Sequence, residues 1–245
     1  MRARILVPGL LALVCGLPAA AQIPDEFSNL QLISKEIGKR ELVATMREYS
    51  RALGVNCSHC HIGSGEGTFE GYDFASDDLE PKRVARAMMK MTSEINGKLM
   101  RATGRRSLTR VECSTCHRGV LDPRGLDDIL MSTLDSQGVD AASARYRELR
   151  RDYHGAGVYD FSSRTLDDIA ETLAQEKSDL DGAIVIMKLN LEFHPDSAQS
   201  HLMLGQFHMA AGTRDAAIAS VERAIALEPE NQYAKSILER LRASK

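Results

Sequence analysis

Hydrophobic residues recur at helical spacing in two segments of the first half of the chain. Residues 34–54 end on a glycine, which suits the left-handed turn that closes many helices. Residues 81–104 form the second segment and open on a proline, which fits a first helical turn. The Gly-rich and Asp-rich residues 63–78 between them predict a loop, in which Asp77 and Asp78 are expected to cap or precede the second helix. The apolar positions of the first helix are Ile37, Leu42, Val43, Met46 and Leu53.

The second half of the chain carries an internal repeat. Residues 182–197 and 216–231 overlay with a shift of 34 residues, which brings Pro195 onto Pro229. A period of 34 is the length of a tetratricopeptide repeat, a pair of helices that stacks on its neighbours. The clearest repeat spans residues 198–231. Amphipathic patterns around these segments predict further helices over residues 138–153, 164–182 and 232–245.

The composition also favours helices. The 245 residues are 43% hydrophobic, which is enough for one large domain or two modest ones with their own cores. Aromatic residues make up 5% and Trp is absent, while Ala, Leu, Arg, Glu and Asp dominate, a balance that favours helix over a β-sandwich. We therefore predict an all-α fold.

The first residues have the pattern of an export signal. Arg2 and Arg4 precede an apolar run, residues 5–17, that is too short to span a bilayer well, and Ala19–Ala21 supplies small residues for cleavage. The alternative is an uncleaved membrane anchor. We predict export to the periplasm or the extracellular space of a Gram-negative-type bacterium, with no transmembrane segment after signal removal.

The mature chain is weakly acidic. Without the signal it has 29 Lys and Arg residues against 34 Asp and Glu residues, a formal charge of −5. A nucleic-acid partner would need a basic surface that this balance does not supply. The sequence also has no Ser-His-Asp set, paired-carboxylate pattern or phosphate-binding glycine loop that stands out, so hydrolytic catalysis finds no support.

Two copies of one short motif hold all four cysteines of the mature chain. They lie in GVNCSHCHIG, residues 54–63, and in VECSTCHRG, residues 111–119. Disulfide bonds or a tetrahedral zinc site would use the cysteines, but neither explains why a histidine follows each pair. Cys-x-x-Cys-His is the attachment signature of c-type haem. We therefore predict haem attachment at Cys57, Cys60, Cys113 and Cys116 and iron ligation by His61 and His117.

The spacing of the motif suits this chemistry. Two thioether bonds to the vinyl groups fix one edge of the haem ring, and the adjacent histidine, on the same helical turn, reaches the iron. Export agrees with this interpretation, because such haems are attached outside the cytoplasm. Two motifs that use every mature cysteine predict two covalently bound haem c groups.

The sixth ligand of each iron decides the activity. A protein ligand makes an electron carrier, whereas an open face makes a sensor or an enzyme. Met46 lies on the first predicted helix, upstream of Cys57, so a turn at Gly54 can bring it back across the first haem. For the second haem, spacing alone leaves three candidates open: Met88, Met91 and Met100.

Three stretches of the chain resemble the cytochrome c subunit of photosynthetic reaction centres. They are ATMREYSRALGVNCSHCH, FASDDLEPKRVARAMMKMTSEIN and VECSTCHRG, within about residues 30–123. In that family a methionine on the helix before each motif typically supplies the sixth ligand. The resemblance implies Met46 for the first haem and, from the pattern Met-x-x-x-x-Asn ending at Asn96, Met91 for the second, with Met88 as the alternative to Met91. Members that serve reaction centres usually carry four haems, so the resemblance implies half of that architecture.

Together these features predict three segments. They are a signal peptide at residues 1–21, a dihaem c-type cytochrome domain at residues 22–124 and a tetratricopeptide-like helical domain at residues 125–245. We expect an electron-transfer protein, not an enzyme, that exchanges electrons with redox partner proteins and uses its repeats for docking or self-association. The alternatives are a haem enzyme such as a peroxidase, a gas sensor with one open iron, and a scaffold whose haems are structural.

Overall fold

The computed structural model describes residues 23–63, 69–104 and 110–243, except for the side chains of residues 99 and 100. The predicted export signal lies outside these ranges. Within them the secondary structure is helical, without β-strands, and this confirms the all-α prediction. The chain divides between Thr115 and Cys116 into two compact units, called the first and the second unit below.

Two helices of the first unit correspond to the two predicted segments. Helix α1, Lys39–Leu53, ends at Gly54, whose φ of 67° is the left-handed conformation that the closing glycine was expected to adopt. Helix α2, Glu80–Glu94, has Pro81 in its first turn, where the missing N–H of proline removes no helical hydrogen bond.

The aspartates before α2 do not cap it. The N-cap residue is Leu79, and no side chain accepts a hydrogen bond at this helix end. Asp77 instead accepts a hydrogen bond from Asn29 and forms ion pairs with Arg86 at 2.7 Å and Lys82 at 3.2 Å. These partners, Arg86 foremost, hold the pKa of Asp77 well below its usual range. The two aspartates therefore precede the helix, as one of the two expected arrangements has it, but they do not cap it, because basic side chains of the helix bind the Asp77 carboxylate.

The second predicted helix is interrupted. Helix α2 passes into a π-helical turn, Ile95–Leu99, and the short helix α3, Met100–Ala102, follows before Gly104. A π turn holds one residue more than an α turn, so it shifts the direction of the side chains that follow. The spacing of the apolar residues did not reveal this turn.

The second unit is a series of helices. Helix α4, Cys113–His117, crosses the division between the units, α5 packs against α6, and each helix from α7 to α10 packs against the next. The sequence pattern predicts each helix from α6 onwards but not α5. These helices are α5 Leu126–Gln137, α6 Val139–Tyr153, α7 Ser163–Gln175, α8 Leu180–Phe193, α9 Ala198–Ala210, α10 Arg214–Leu227 and α11 Gln232–Ala243.

The helix boundaries in the second unit repeat along the chain. Both ends of α8 recur 34 residues later as the ends of α10, and the start of α9 recurs 34 residues later as the start of α11. This interval equals the period found in the sequence. The assignment to the tetratricopeptide class stays a prediction.

The second unit contains its own hydrophobic core. One cluster of buried side chains spans α5 to α9, and a second joins α9, α10 and α11. Gly205 of α9 allows a close approach to α10, because a Cβ atom there would lie 2.6 Å from the Val221 side chain and 3.3 Å from the Ala217 carbonyl oxygen. The small residue therefore explains how tightly these two helices pack.

The first unit buries much less apolar surface. Among its described residues, the buried hydrophobic side chains are Leu42 and Ala52 alone, whereas Val84, Met88 and Met91 of α2 are 46%, 42% and 46% exposed. Full burial of such a side chain stabilises the folded state by about 1.5–3 kcal/mol, so these three exposed side chains contribute much less to stability than they would if buried. No helix in the described ranges combines the length and the apolar character that crossing a membrane would require.

Candidate haem-binding sites

The first Cys-x-x-Cys-His sequence forms one helical turn. The backbone N–H groups of Cys60 and His61 both donate to the carbonyl oxygen of Cys57, at 3.2 and 3.0 Å. This turn brings Cys57, Cys60 and His61 together, as the motif spacing predicts. Burial raises the pKa of the Cys60 thiol, and the nearby Cys57 raises it further, so Cys60 remains a protonated thiol at neutral pH.

His61 is half-buried in surroundings that favour the neutral imidazole. Burial lowers its pKa, and the positive charges of Lys82 and Arg86 lower it further. Its ring meets the Phe74 ring edge-on, with the centroids 5.2 Å apart. The backbone of Phe74 opposes part of this fall in the pKa, but the buried Nδ1 atom makes no hydrogen bond within the described part of the chain. A neutral imidazole keeps a lone pair with which it can bind a metal.

The chain after the first motif folds back beside it. The N–H of Asp73 donates to the Ile62 carbonyl oxygen at 2.9 Å, and Tyr72 stacks on Phe74 with ring centroids 5.2 Å apart. Gly63 lies directly against the Tyr72 ring, where an added Cβ atom would come within 2.5 Å of it. The segment needs glycine at this position so that the aromatic side chains can reach His61.

Lys82 holds this returning segment in place. Its buried ammonium group donates to the backbone carbonyl oxygens of Phe74, Ala75 and Ser76 at 2.9, 3.0 and 2.6 Å, and it also pairs with Asp77. One ammonium group thus supplies the hydrogen bonds of three backbone carbonyl groups that lie outside any helix or strand. Sequence reasoning missed this residue, since a lysine on a predicted helix gives no sign of such contacts.

The second Cys-x-x-Cys-His sequence forms helix α4. Ahead of this helix, the N–H of Glu112 donates to the Thr115 hydroxyl at 2.9 Å, and the N–H of Thr115 donates to the Glu112 carbonyl oxygen at 3.0 Å. At the other end, Nδ1 of His117 lies 3.0 Å from the Val120 carbonyl oxygen. A carbonyl oxygen only accepts hydrogen bonds, so Nδ1 carries the hydrogen and Nε2 of the neutral ring keeps its lone pair. Metal-binding histidines are commonly held in this way.

The candidate methionines lie on α1 and α2. Met46 is half-buried on α1, and Met88 and Met91 share an exposed face of α2 with Val84. Residues at this spacing line one side of a helix, and we call Val84, Met88 and Met91 the α2 apolar row. The Met100 side chain lies outside the described residues. The assignment of Met46 and Met91 as iron ligands stays a prediction.

The residues present suit a covalently attached haem. Within the described ranges, no disulfide bond joins the four cysteines, and no group of three His, Cys, Asp or Glu side chains converges as a metal site would require. The sparse core of the first unit and the α2 apolar row together leave an apolar surface that a large, flat, mostly apolar group would cover. Each helical turn supplies two cysteines and one histidine for such a group.

Comparison with known proteins relates the chain to one family. The sequence profile of the family described as photosynthetic reaction centre cytochrome c subunit matches residues 66–177, a range that contains the second motif and begins after the first. The photosynthetic reaction center cytochrome c subunit of Rubrivivax gelatinosus (strain NBRC 100245 / IL144) is 31% identical over 91 residues, which cover 32% of this chain and 22% of that protein. The chain therefore spans about a fifth of its curated relative, and it is similar to the cytochrome c subunits of photosynthetic reaction centres.

Proposed function

We propose that this chain is an exported dihaem c-type cytochrome that carries electrons between redox partner proteins. The main support is that each Cys-x-x-Cys-His sequence folds into a single helical turn, and that in the second one Nδ1 of His117 is bound to a carbonyl oxygen while Nε2 keeps its lone pair. The similarity to cytochrome c subunits agrees with this proposal. When bound, a haem supplies a one-electron ferric/ferrous couple.

The first group would be held by Cys57, Cys60 and His61. The two thiols would form thioether bonds, and His61 would bind the iron as a neutral imidazole. The Phe74 ring, which meets the His61 ring edge-on, would keep that ring in one orientation. Lys82 would hold Phe74 in place through its hydrogen bond to the Phe74 carbonyl oxygen. A fixed ligand orientation keeps structural rearrangement small when the charge of the site changes.

The second group would be held by Cys113, Cys116 and His117. Hydrogen bonding of Nδ1 to Val120 would fix the tautomer of His117 and make Nε2 a stronger donor to the iron. Met46 and Met91 would complete the two coordination spheres. Ligation by His and Met raises the reduction potential relative to ligation by two His residues.

The helical second unit would dock a redox partner or another copy of the chain. Support comes from the 34-residue interval between its helix boundaries, because stacked helix pairs of this length form extended binding surfaces. Association of copies would join two-haem units into a longer electron path. Export would place this path in the periplasm or outside the cell. N-terminal sequencing of the mature protein tests the export, and we expect the first residue to be Gln22.

The proposal is tested on the purified mature holoprotein. Haem is counted per chain, absorption spectra are recorded in both oxidation states, and carbon monoxide is added to the reduced form. We expect two haems, the weak far-red band of Met-ligated ferric iron and no response to carbon monoxide. A carbon monoxide shift in the unmodified protein would instead indicate an open iron and favour an enzyme or a gas sensor.

Single methionine variants separate the ligands. Met46→Ala and Met91→Ala should each remove about half of the far-red band and make one haem per chain reactive to carbon monoxide. Met88→Ala is the matched control, since it shortens a methionine on the same face of α2. If Met88→Ala opens the iron and Met91→Ala does not, Met88 is the ligand.

A further inference from the structure

The side chain of Asn96 makes two hydrogen bonds to one backbone residue. Its Nδ2 donates to the Val111 carbonyl oxygen at 2.7 Å, and its Oδ1 accepts from the Val111 N–H at 2.8 Å. The carboxamide thus satisfies both backbone groups of Val111, as a neighbouring β-strand would. Asn96 is only partly exposed, so water competes weakly for these bonds.

Asn96 lies in the π-helical turn that follows α2. This turn, Ile95–Leu99, adds a residue to the helix, and it presents Asn96 to residues 110–112. Such turns often occur at functional sites, because they survive only where another interaction compensates for their poorer geometry. The pair of bonds to Val111 is such an interaction.

The bonds connect two features of the proposed second haem site. Val111 lies two residues before Cys113, and the next residue, Glu112, is already bonded to Thr115 of α4. On the Asn96 side of these two bonds, Met91 lies five residues before Asn96, in the last turn of α2. The carboxamide therefore ties the helix that carries the candidate sixth ligand to the start of the turn that carries the attachment cysteines.

We infer that Asn96 is a positioning residue of the second haem site, which sets the separation between the Met91 side chain and the iron. The inference rests on the proposed function. Asn96 would touch neither the haem nor the iron. It would act by holding residues 110–112 at a fixed distance from α2, so that the sulfur of Met91 binds the iron without displacing α4.

The test compares three variants of the holoprotein with the unmodified chain. Asn96→Ala removes both bonds, Asn96→Asp keeps an acceptor for the Val111 N–H but loses the donor, and Ser93→Ala changes an exposed residue near the end of α2 as the control. We expect Asn96→Ala to lose about half of the far-red band, to bind carbon monoxide at one haem per chain and to lower the potential of that haem. Asn96→Asp should be intermediate, and Ser93→Ala unchanged.

Two outcomes would overturn the inference in different ways. If Met91→Ala abolishes part of the band but folded Asn96→Ala keeps it, with unchanged potential, then Asn96 serves stability alone and the inference fails while the proposed function stands. If Met91→Ala leaves the spectrum unchanged, the ligand assignment in the proposed function fails and the inference fails with it. Thermal unfolding, recorded in parallel, confirms that spectra are compared on folded protein.

Discussion

At the scale of single residues, the two candidate iron-binding histidines have different surroundings. Nδ1 of His117 donates to the Val120 carbonyl oxygen, whereas the buried Nδ1 of His61 has no such bond in the described residues. Lys82 and Arg86 also place positive charge near His61. A weaker histidine donor and nearby positive charge both favour the less positively charged, reduced state of an iron centre. We therefore expect the first haem to have the higher potential.

Replacement of Lys82 by Met tests this expectation. The variant keeps the apolar stem but leaves the carbonyl oxygens of residues 74–76 without their donor, so the free energy of unfolding should fall by about 1–3 kcal/mol. The potential of the first haem should fall as well, because a positive charge is removed. Denaturant unfolding and a potentiometric titration of the holoprotein measure the two effects.

The exposed Lys90, also on α2, provides the matched control for this experiment. Lys90→Met should change the unfolding free energy by less than about 0.5 kcal/mol, as is usual for surface substitutions. Equal effects of the two substitutions, on stability and on potential, would contradict the proposed role of Lys82.

The sequence predicts some of these residues and not others for a physical reason. The cysteines and histidines of each motif are neighbours in the chain, so their spacing alone brings them into one turn. Lys82 and Asn96 act on backbone groups that reach them only after the chain has turned back. Neither residue has a local pattern that distinguishes it from other polar residues on a helix, although the Met-x-x-x-x-Asn pattern pointed to Asn96 without indicating its role.

At the scale of helices, three polar residues form a buried network between α7, α8 and α9. Asp167 accepts from the Asn190 amide at 2.7 Å and from the Ser200 hydroxyl at 2.8 Å, and all three side chains are buried. Burial raises the pKa of Asp167, although the hydrogen bonds from Ser200 and Asn190 oppose this effect. Oδ1 of Asn190 is buried without a hydrogen-bond partner among the described residues.

The raised pKa makes the stability of the chain depend on pH. The folded chain holds the Asp167 proton to higher pH than the unfolded chain, whose carboxyl group titrates near its usual value of 3.8. The contribution of Asp167 to the free energy of unfolding is therefore greatest below that value and falls as the pH rises through the raised pKa. Above the raised pKa, the buried carboxylate is charged.

Replacement of Asp167 by Asn should remove this contribution to the pH dependence. The new amide oxygen can accept the hydrogen bonds from Asn190 and Ser200 and carries no charge, so we expect the free energy of unfolding at pH 7 to rise by about 1 kcal/mol. Asp167→Ala should lower it by about 2 kcal/mol, because Asn190 and Ser200 lose their acceptor. Urea unfolding between pH 4 and pH 8 measures both.

Asp168, exposed on the same helix, offers the control for the loss of a negative charge. Asp168→Asn should leave the pH dependence as it is in the unmodified chain. If Asp167→Asn destabilises the chain as much as Asp167→Ala does, the carboxylate charge itself stabilises the network, and a destabilising role for that charge is ruled out.

The spacing of apolar residues predicts the positions of the helices better than the structure at their ends. The apolar spacing located α1, α2 and most helices of the second unit, because burial of one helix face requires it. It could not show the π turn after α2, where the side chain of Asn96 binds the distant backbone of Val111. Likewise, the sequence leaves open whether Asp77 caps α2 or only precedes it, and the ion pairs with Arg86 and Lys82 decide for the second arrangement.

At the scale of the whole molecule, charge is distributed unevenly along the chain. Residues 22–115 contain 14 Lys and Arg against 13 Asp and Glu, whereas residues 116–245 contain 15 against 21. On α1, the exposed Arg40, Arg47 and Arg51 follow one face of the helix. The first part is thus nearly neutral and the second part is acidic, and attraction between the arginine face of α1 and the acidic part of another copy favours head-to-tail contact.

The proposed self-association should therefore weaken with salt. We expect larger assemblies at low ionic strength and a dissociation constant roughly tenfold higher at ~0.3 M salt, where the Debye length is shorter than 10 Å. The double variant Arg40→Glu/Arg47→Glu should weaken association. The double variant Lys188→Glu/Lys235→Glu is the control, since it changes the net charge by the same amount in the acidic second unit, and it should weaken association less. Sedimentation velocity of the holoprotein measures this, and a monomer at all salt and protein concentrations would contradict self-association.

The uneven distribution of buried apolar side chains also bears on how the protein matures. The helices from α5 to α11 are synthesised after the first unit, yet they can pack around their own clusters as soon as they are complete. The described part of the first unit leaves the ribosome earlier and has little to fold around by itself. Cys57, Cys60 and Cys113 of this unit would thus stay accessible for haem attachment, and the order of folding would run opposite to the order of synthesis.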